Sequence, residues 1–378
     1  MSNTVALANE QTCFCVLETT KGTAVFPSAA AQLVVGAGVI DINQQPTFSN
    51  SEEIVDSLDV IDRFQDQIGA GTFNIPAYIR PSGAAGTAPM AGVLFKSLMG
   101  LETVVGSTSV TYGQATTKPS FTLWVKKSHT VFFGTGACVD KGSLNMTNKG
   151  GAMITFSGGF MQMGWAGTDE VDGIVSGSTS VTVQDGKKFT AGAFVKIGSD
   201  DNTGAGYRIA SVSGNVLTMD DSISCADEAV IAGWIPDSYS VVGAPLESKE
   251  TGITIDGAAA RLKSLNLDIS SPAVYQVDEI TTSQYAEDYV EDTRAITGSI
   301  DLLFRQDDLS LFYDGLNDVS KAIIATVGSA GGSICKITFP YAELEVPTVT
   351  SNKPTVDLNA TLTALGSSGE DSATIAFT

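Results

Sequence analysis

The sequence predicts a mainly β protein. Hydrophobic residues make up 43% of the 378 positions, an ordinary share for a globular chain, but charged residues make up only 17%. Gly, Ser, Thr and Ala fill the difference, and this mixture suits short strands and tight turns better than long surface helices. Runs of β-branched and aromatic residues, separated by turn residues, recur along most of the chain.

Apolar runs of strand length carry this prediction. They are residues 11–20, 33–42, 72–80, 110–112, 121–125, 131–133, 153–160, 253–255, 262–269, 296–304, 334–345, 358–365 and 373–377. Two of these runs, 72–80 and 296–304, are weakly alike, although no solenoid-type repeat is present. We base no further prediction on that twofold likeness.

One helix is predicted clearly, over residues 89–99. Pro89 suits a first turn, apolar residues recur at helical spacing, and Gly100 follows as a stop. Residues 307–316 are a second candidate helix. The polar segment 51–67, in which acids alternate with spaced apolar residues, fits either a short amphipathic helix or a long loop.

A change of composition near Gly167 predicts an inserted domain. Residues 168–235 hold several short strands with turns of their own, which predicts a small β barrel or sandwich. The predicted organisation is therefore a main domain in two parts, 1–167 and 236–378, with the domain 168–235 inserted between them.

The chain is strongly acidic. It carries 42 acids and 21 bases, for a formal net charge of -21. Such a surface repels phosphate backbones, so a protein that grips DNA is disfavoured. The charge fits either a β protein kept soluble by repulsion or a surface that nucleic acid passes without adhering. With no signal-peptide pattern and no membrane-spanning apolar run, we expect synthesis in a cytoplasm.

The sequence gives no support for catalysis, a cofactor or a metal. The single histidine, His129, stands between two predicted strands, where a turn residue is expected. The glycines Gly36 and Gly38 lack the third glycine and the helix of a dinucleotide site and predict an interrupted strand. Cys13 and Cys15 lack a second pair for zinc, so buried apolar thiols are expected.

The acidic run at residues 200–204 is also compared with a metal site. Residues 200–204 share part of a calcium-loop pattern, but the acids are adjacent and no closing glutamate follows at the required distance. A polar loop tip is the better interpretation.

Several ordered motifs resemble the tail tube proteins of siphophages, the long-tailed bacteriophages. The first are Gly22-Thr23-Ala24-Val25-Phe26-Pro27, Ser51-Glu52-Glu53 with Asp59, Asp62, Arg63 and Phe64, Gly71-Thr72-Phe73, Tyr78-Ile79-Arg80-Pro81-Ser82-Gly83 and Leu94-Phe95-Lys96-Ser97-Leu98-Met99-Gly100. The later ones are Phe121-Thr122-Leu123-Trp124, Gly134-Thr135-Gly136-Ala137-Cys138, Ile154-Thr155-Phe156-Ser157-Gly158-Gly159-Phe160, and Arg294 with Thr297-Gly298-Ser299-Ile300-Asp301-Leu302. These are turn and strand patterns without a chemical signature.

The resemblance implies a β sandwich with a flanking helix, whose copies join edge to edge into a ring, commonly of six. Stacked rings would form a hollow tube in the virion, with the tail tip, tape measure and tail terminator proteins as further partners. DNA would pass through the lumen without specific binding, and no membrane would be involved. Ring closure would also remove the open strand edges that otherwise invite aggregation.

Two sets of residues are predicted to serve the tube. Asp268 and Asp301, on alternating strands, are candidates for acids that face the lumen and repel phosphates. The segment 51–67 is a candidate for ring-to-ring contact, with an ordinary surface helix as the alternative. Its candidate residues are Glu52, Glu53, Asp56, Asp59, Asp62, Arg63 and Phe64. The inserted domain is expected on the outer face, because it would obstruct the lumen.

Three rival functions remain open from the sequence. A capsid decoration or tail-tip protein shares the β-rich composition, and only the motifs between residues 21 and 100 argue against it. A carbohydrate hydrolase could use paired carboxylates on a β scaffold, but no cluster of acids and aromatics marks one. A secreted adhesin lacks the expected signal peptide.

Overall fold

The computed structural model describes residues 7–29, 32–54, 56, 59–147, 149–237, 239–277, 283–352 and 354–378. Within them the chain is mainly β, as predicted, with 29 strands and two short α-helices. The first twelve strands are β1 (Gln11–Leu17), β2 (Leu33–Val34), β3 (Asp41–Asn43), β4 (Phe48–Asn50), β5 (Arg63–Gln65), β6 (Gly71–Tyr78), β7 (Gly100–Val105), β8 (Ser109–Gln114), β9 (Phe121–Lys127), β10 (Thr130–Thr147), β11 (Met153–Phe160) and β12 (Gln162–Ala166).

The remaining strands fall into two groups. The first group is β13 (Thr168–Glu170), β14 (Val175–Thr182), β15 (Phe194–Ile197), β16 (Tyr207–Ser213), β17 (Val216–Cys225) and β18 (Val230–Gly233). The second is β19 (Thr251–Ile255), β20 (Ala258–Ala260), β21 (Leu262–Ser270), β22 (Ala273–Tyr275), β23 (Tyr289–Glu291), β24 (Ala295–Leu303), β25 (Lys321–Val327), β26 (Cys335–Leu344), β27 (Thr348–Asn352), β28 (Thr355–Leu365) and β29 (Thr374–Phe377).

Both candidate helices form. Helix α1 (Gly92–Met99) lies within the predicted range 89–99, and its apolar residues Leu94, Phe95, Leu98 and Met99 are buried. Helix α2 (Ser310–Leu316) follows a 3₁₀ turn at Gln306–Leu309 and buries only Leu311. The prediction for 307–316 is therefore confirmed as a turn that continues into a short helix.

Three antiparallel sheets make up the main body. The wide sheet has the order β3–β6–β11–β10–β21–β24–β28, and β26 and β27 pair with successive parts of β28. The first small sheet is β2–β1–β9–β10–β12. The second small sheet is β20–β19–β25–β26–β29–β8–β7. The long strands β10 and β26 each belong to two sheets.

One continuous apolar core joins these sheets. It takes Ile75 and Leu144 from the wide sheet, Cys13 and Leu123 from the first small sheet, and Ile323 from the second. The alternating side chains of each wide-sheet strand place apolar residues toward this core and polar residues on the opposite face. Cys13 and Cys15 are buried free thiols in the core, as expected, and burial raises the pKa of Cys15 well above its usual range.

The six strands between Thr168 and Gly233 form a sheet of their own, in the order β13–β18–β15–β16–β17–β14. Their apolar side chains do not enclose a separate core. They share a buried cluster with Phe14, Trp124 and Phe133, which lie on the face of the first small sheet that points away from the main core. The sheet lies inside the predicted limits 168–235, and the three-part division of the chain stays a prediction.

The strand pairings before this sheet repeat after it. In the first repeat, β1 to β12, the pairs are β1–β2, β1–β9, β3–β6, β4–β5, β6–β11, β9–β10, β10–β11 and β10–β12. In the second repeat, β19 to β29, the corresponding pairs are β19–β20, β19–β25, β21–β24, β22–β23, β24–β28, β25–β26, β26–β28 and β26–β29. All of these pairs are antiparallel. Helices α1 and α2 occupy the same place in the chain order of their repeats, after β6 and β24. The weak likeness of 72–80 to 296–304 falls on these two corresponding strands.

Candidate assembly surfaces

The polar face of the wide sheet is its face turned away from the core. Its central strands present mainly hydroxyl and amide side chains, all at least partly exposed. They are Thr155 and Ser157 of β11, Ser143, Asn145 and Thr147 of β10, Ser264, Asn266 and Ser270 of β21, Thr297 and Ser299 of β24, and Asn359, Thr361 and Thr363 of β28. This face is therefore hydrophilic and, for its area, carries few charges.

Asp268, the first predicted lumen residue, lies on this face at β21. Its carboxylate accepts a 2.6 Å hydrogen bond from Ser143 Oγ and lies 3.1 Å from Lys141 Nζ. Asp268 and Lys141 each remain nearly half exposed. The pair neutralises the lysine charge, so the ammonium group is already occupied by a carboxylate.

Asp301, the second predicted lumen residue, lies on the same face of the neighbouring strand β24. It accepts a 2.6 Å hydrogen bond from Ser264 Oγ and a second from Asn359 Nδ2. A second lysine nearby, Lys263, donates to Asp357 at 2.7 Å. The structure thus brings both predicted acids onto one surface, and both of these lysines are paired with carboxylates.

The predicted ring-contact segment forms a β-hairpin, so the helical interpretation of 51–67 is wrong. Strands β4 and β5 pair from Phe48 opposite Gln65 to Asn50 opposite Arg63, and residues 51–62 connect them. The guanidinium of Arg63 lies 4.3 Å from the centre of the Phe48 ring. We call residues 48–65 the first hairpin.

All seven predicted contact residues lie on the first hairpin, and all are exposed. The sequence prediction stressed their charges, but the apolar residues are more informative. Ile54 is 96% exposed, Val60 61% and Phe64 58%. A two-stranded hairpin is marginally stable alone, and exposed apolar side chains at its tip are typical of a contact surface.

The second repeat has a corresponding hairpin, β22–β23, to which the sequence analysis assigned no role. The rings of Tyr275 and Tyr289 lie 5.3 Å apart, and their hydroxyls donate to the carbonyls of Gly136 and Lys118. Its other side exposes the facing pair Val274 and Val290. Both hairpin segments are rich in acidic residues, which is visible in the sequence. That the two hairpins correspond to each other is visible only in the fold.

The two hairpins leave the wide sheet at the same end, because they follow the strands β3 and β21, which run in the same direction across the sheet. They are connected just beyond the first hairpin, where Ile68 N donates to Gln284 O at 2.7 Å. On the second hairpin, Asp288 binds Lys21, and the donated hydrogen bond lowers the pKa of this carboxyl. One end of the subunit therefore presents two acidic hairpins with exposed apolar residues.

The residues that we considered for catalysis or metal binding lie in ordinary turns and loops. His129 is exposed in the turn between β9 and β10, beside Ser128 at 3.2 Å. In the run 200–204, Asp200 accepts from Tyr207 OH and Asp201 from Gly204 N, which makes it a loop tip. Among the described residues, no group of His, Cys, Asp and Glu could hold a metal ion, and no helix could span a membrane.

The family model for phage tail tube proteins matches residues 2–378. The chain belongs to the phage tail tube protein family. No curated protein matches the chain. Membership of this family makes it a structural protein of the phage tail, and it favours a tube subunit over the capsid-decoration, hydrolase and adhesin alternatives. The β-rich architecture agrees with the family's fold.

Proposed function

We propose that this chain is the major tail tube subunit, that its copies close into stacked rings, and that the polar face of the wide sheet lines the bore. The observation that carries the proposal is the polar face itself. It is broad, hydrophilic and supported from behind by the continuous core, so it can be exposed to water without cost to the fold.

The chemistry of this face suits passage of DNA without capture. Affinity for a phosphate backbone comes mainly from unpaired lysine and arginine side chains that release counterions. Here Lys141 and Lys263 already contact Asp268 and Asp357, and Asp301 adds a further negative charge. Hydroxyl and amide groups, which stay hydrated, separate these charges.

Stacking is assigned to the hairpin end of the subunit. The exposed apolar residues of the first hairpin, Ile54, Val60 and Phe64, would be covered by the next ring. The inserted sheet packs on the first small sheet, which lies across the core from the polar face. This position supports an outer location for the insert and leaves the bore open.

The remaining parts of the proposal follow from the tube. The subunit acts without catalysis, cofactor or metal, and its partners are further copies of itself together with the tail tip, tape measure and terminator proteins. It is made in the bacterial cytoplasm and ends in the virion. DNA touches the bore without sequence-specific contacts.

Electron microscopy of the purified protein at rising concentration tests this function. We expect rings or hollow tubes of uniform width, with a bore wide enough for a DNA duplex. If the protein stays monomeric, a short preassembled tube fragment from virions supplies the nucleus, and growth of that fragment is the expected result. Compact oligomers that neither stack nor extend such a fragment would contradict the proposal.

A further inference from the structure

The two repeats meet within one chain, and the way they meet predicts how two chains meet. The last wide-sheet strand of the first repeat, β10, pairs with the first strand of the second repeat, β21. In this internal junction Ser143 lies opposite Asp268, Leu144 opposite Leu267, and Asn145 opposite Asn266. The apolar pair Leu144 and Leu267 is almost fully buried.

The corresponding strands at the two ends of the chain lack this partner. The counterpart of β21 is β3, which in the described structure pairs with β6 alone. The counterpart of β10 is the combined stretch β26–β27, because β10 covers residues 130–147 and β26–β27 covers 335–352. Among the described residues β27 pairs with β28 alone, all five of its residues are exposed, and Val349 is 51% exposed.

The pairings also fix which residues correspond. Asn74 of β6 corresponds to Ser299 of β24. Asp41 lies opposite Asn74 in the first repeat, and Asn266 lies opposite Ser299 in the second. This places Asp41, Ile42 and Asn43 where β21 has Asn266, Leu267 and Asp268. In the same way, the matched stretches place Thr348, Val349 and Thr350 where β10 has Ser143, Leu144 and Asn145.

We propose that the tube ring contains three copies of this chain, joined by antiparallel pairing of β27 with β3 of the next copy. Thr348 then lies opposite Asn43, Val349 opposite Ile42, and Thr350 opposite Asp41. Each contact between chains reproduces the internal junction, so six equivalent repeats surround the bore. The inference rests on the proposed tube function and differs from the ring of six chains that the resemblance implies.

The number of copies follows from the width of the wide sheet. It contributes eight strands per chain when β26 and β27 count as one. With strands about 4.8 Å apart and tilted by about 40°, each strand takes about 6 Å of a closed barrel's circumference. Barrels of two, three and six copies are then about 32, 48 and 96 Å across between backbones.

Only the middle value suits a guided duplex. Side chains take about 10 Å of the diameter, and a duplex with grooves about 8 Å deep on either side is about 20 Å wide. Two copies would leave almost no room for water and ions around the DNA. Six copies would leave a bore several times wider than the duplex.

Cross-linking of assembled tubes tests the contact and the number together. The variant carries Asn43→Cys and Thr348→Cys, with Cys225→Ser to remove the partly exposed native thiol. Opposite Cβ atoms on paired strands lie about 5 Å apart, within reach of a short bifunctional maleimide. We expect a denaturing gel to show one, two and three linked chains and nothing larger.

The matched control carries Asn43→Cys and Thr361→Cys, because Thr361 lies on the same face but inside the sheet, on β28. It should remain monomeric on the gel. A ladder that ends at six chains would overturn the ring of three while leaving the tube function intact. Tubes without cross-links would overturn the β27–β3 contact, and the lack of any ring or tube would count against the function itself.

Discussion

The two repeats share one set of strand pairings but differ in how their edges are covered. In the wide sheet, the last strand of the first repeat is the unbroken strand β10, and its far edge is covered by β21 of the same chain. In the second repeat this place is taken by β26 and β27, a strand interrupted near Pro347, and no described strand pairs with the far edge of β27. The same position is thus a folding contact in one repeat and, in the ring that we propose, an assembly contact in the other.

The helices of the two repeats differ in how far they are buried. Six of the eight residues of α1 are buried, whereas α2 buries Leu311 alone. The hairpin β7–β8 follows α1 and pairs with β29, and so the first repeat also supports the second. The comparison shows that α1 is packed into the core on most of its surface, whereas α2 lies on the core through Leu311 and is otherwise at least partly exposed.

The largest expected effect separates the two equivalent edge positions. Leu144→Ala at the internal junction removes a buried side chain and should lower the free energy of unfolding by about 2–5 kcal/mol. Val349→Asp at the open edge should change that free energy by less than about 1 kcal/mol, yet abolish rings, because it places a charge in the contact between chains. Urea unfolding and electron microscopy of both variants measure this. Intact rings from Val349→Asp would remove β27 from the interface.

The second prediction compares the two hairpins. Phe64→Ser should leave unfolding within about 0.5 kcal/mol of the parent, since the ring is exposed, but it should shorten tubes to single rings or short stacks. Tyr289→Ser on the second hairpin should instead destabilise the subunit by about 3 kcal/mol or more, because that ring is buried. Tube length on micrographs and urea midpoints distinguish them. Full-length tubes from Phe64→Ser would assign stacking elsewhere.

The third prediction concerns charge on the polar face. Replacing Asp268 and Asp301 with lysine should permit tube assembly but slow DNA delivery, because unpaired ammonium groups would bind phosphates in the bore. The matched control, Asp220→Lys with Asp221→Lys, makes the same change of charge on the exposed inserted sheet and should deliver DNA normally. Phage carrying each pair can be compared by the rate of genome release. Equal rates would exclude these two acids from the bore.

The smallest expected effect is a pH dependence confined to the second repeat. A hydrogen bond donated by Lys263, and a weaker effect of the one donated by Asn352, hold the pKa of the Asp357 carboxyl below its ordinary value. The carboxylate therefore stabilises the fold above the unfolded pKa of about 3.9, and this contribution is lost as the pH falls through the lower folded value.

The first repeat provides the control for that titration. The register places Met153 of β11 at the position of Asp357, so no carboxylate is lost there. The protection of amides in β27 and β28 from hydrogen exchange, corrected for the intrinsic rate at each pH, should fall below about pH 4, while the protection of β11 is unaffected. An equal loss of protection in β28 and β11 would show that Asp357 has no local role.

The sequence predicts those parts of the fold that local pattern determines. Strand β11 appears at the predicted residues 153–160, and α1 lies within its predicted range, because alternation and helical spacing are local properties. The length of β10 was missed. Glycines interrupt its pattern, and Gly136, at φ +61°, bends the strand where it passes from one sheet to the other.

The repeat and the hairpins required long-range pairing. Strands β6 and β24 share an alternating apolar pattern but few identical residues, so sequence alone gave only a weak likeness. The three-residue strands β4 and β5 are too short for a periodic signal, and their segment fitted a helix or a loop equally well. Asp268 and Asp301 were predicted individually, but their shared face depends on the register of β21 with β24.

The most direct test of the central claim is a cryo-electron microscopy map of the assembled tube at a resolution that separates strands. The account predicts that β10, β21, β24 and β28 line the bore, with Ser143, Asp268 and Asp301 facing it, and that the sheet β13–β18 lies on the outside. A map in which the polar face is buried between rings, or turned outward with the insert in the lumen, would contradict it.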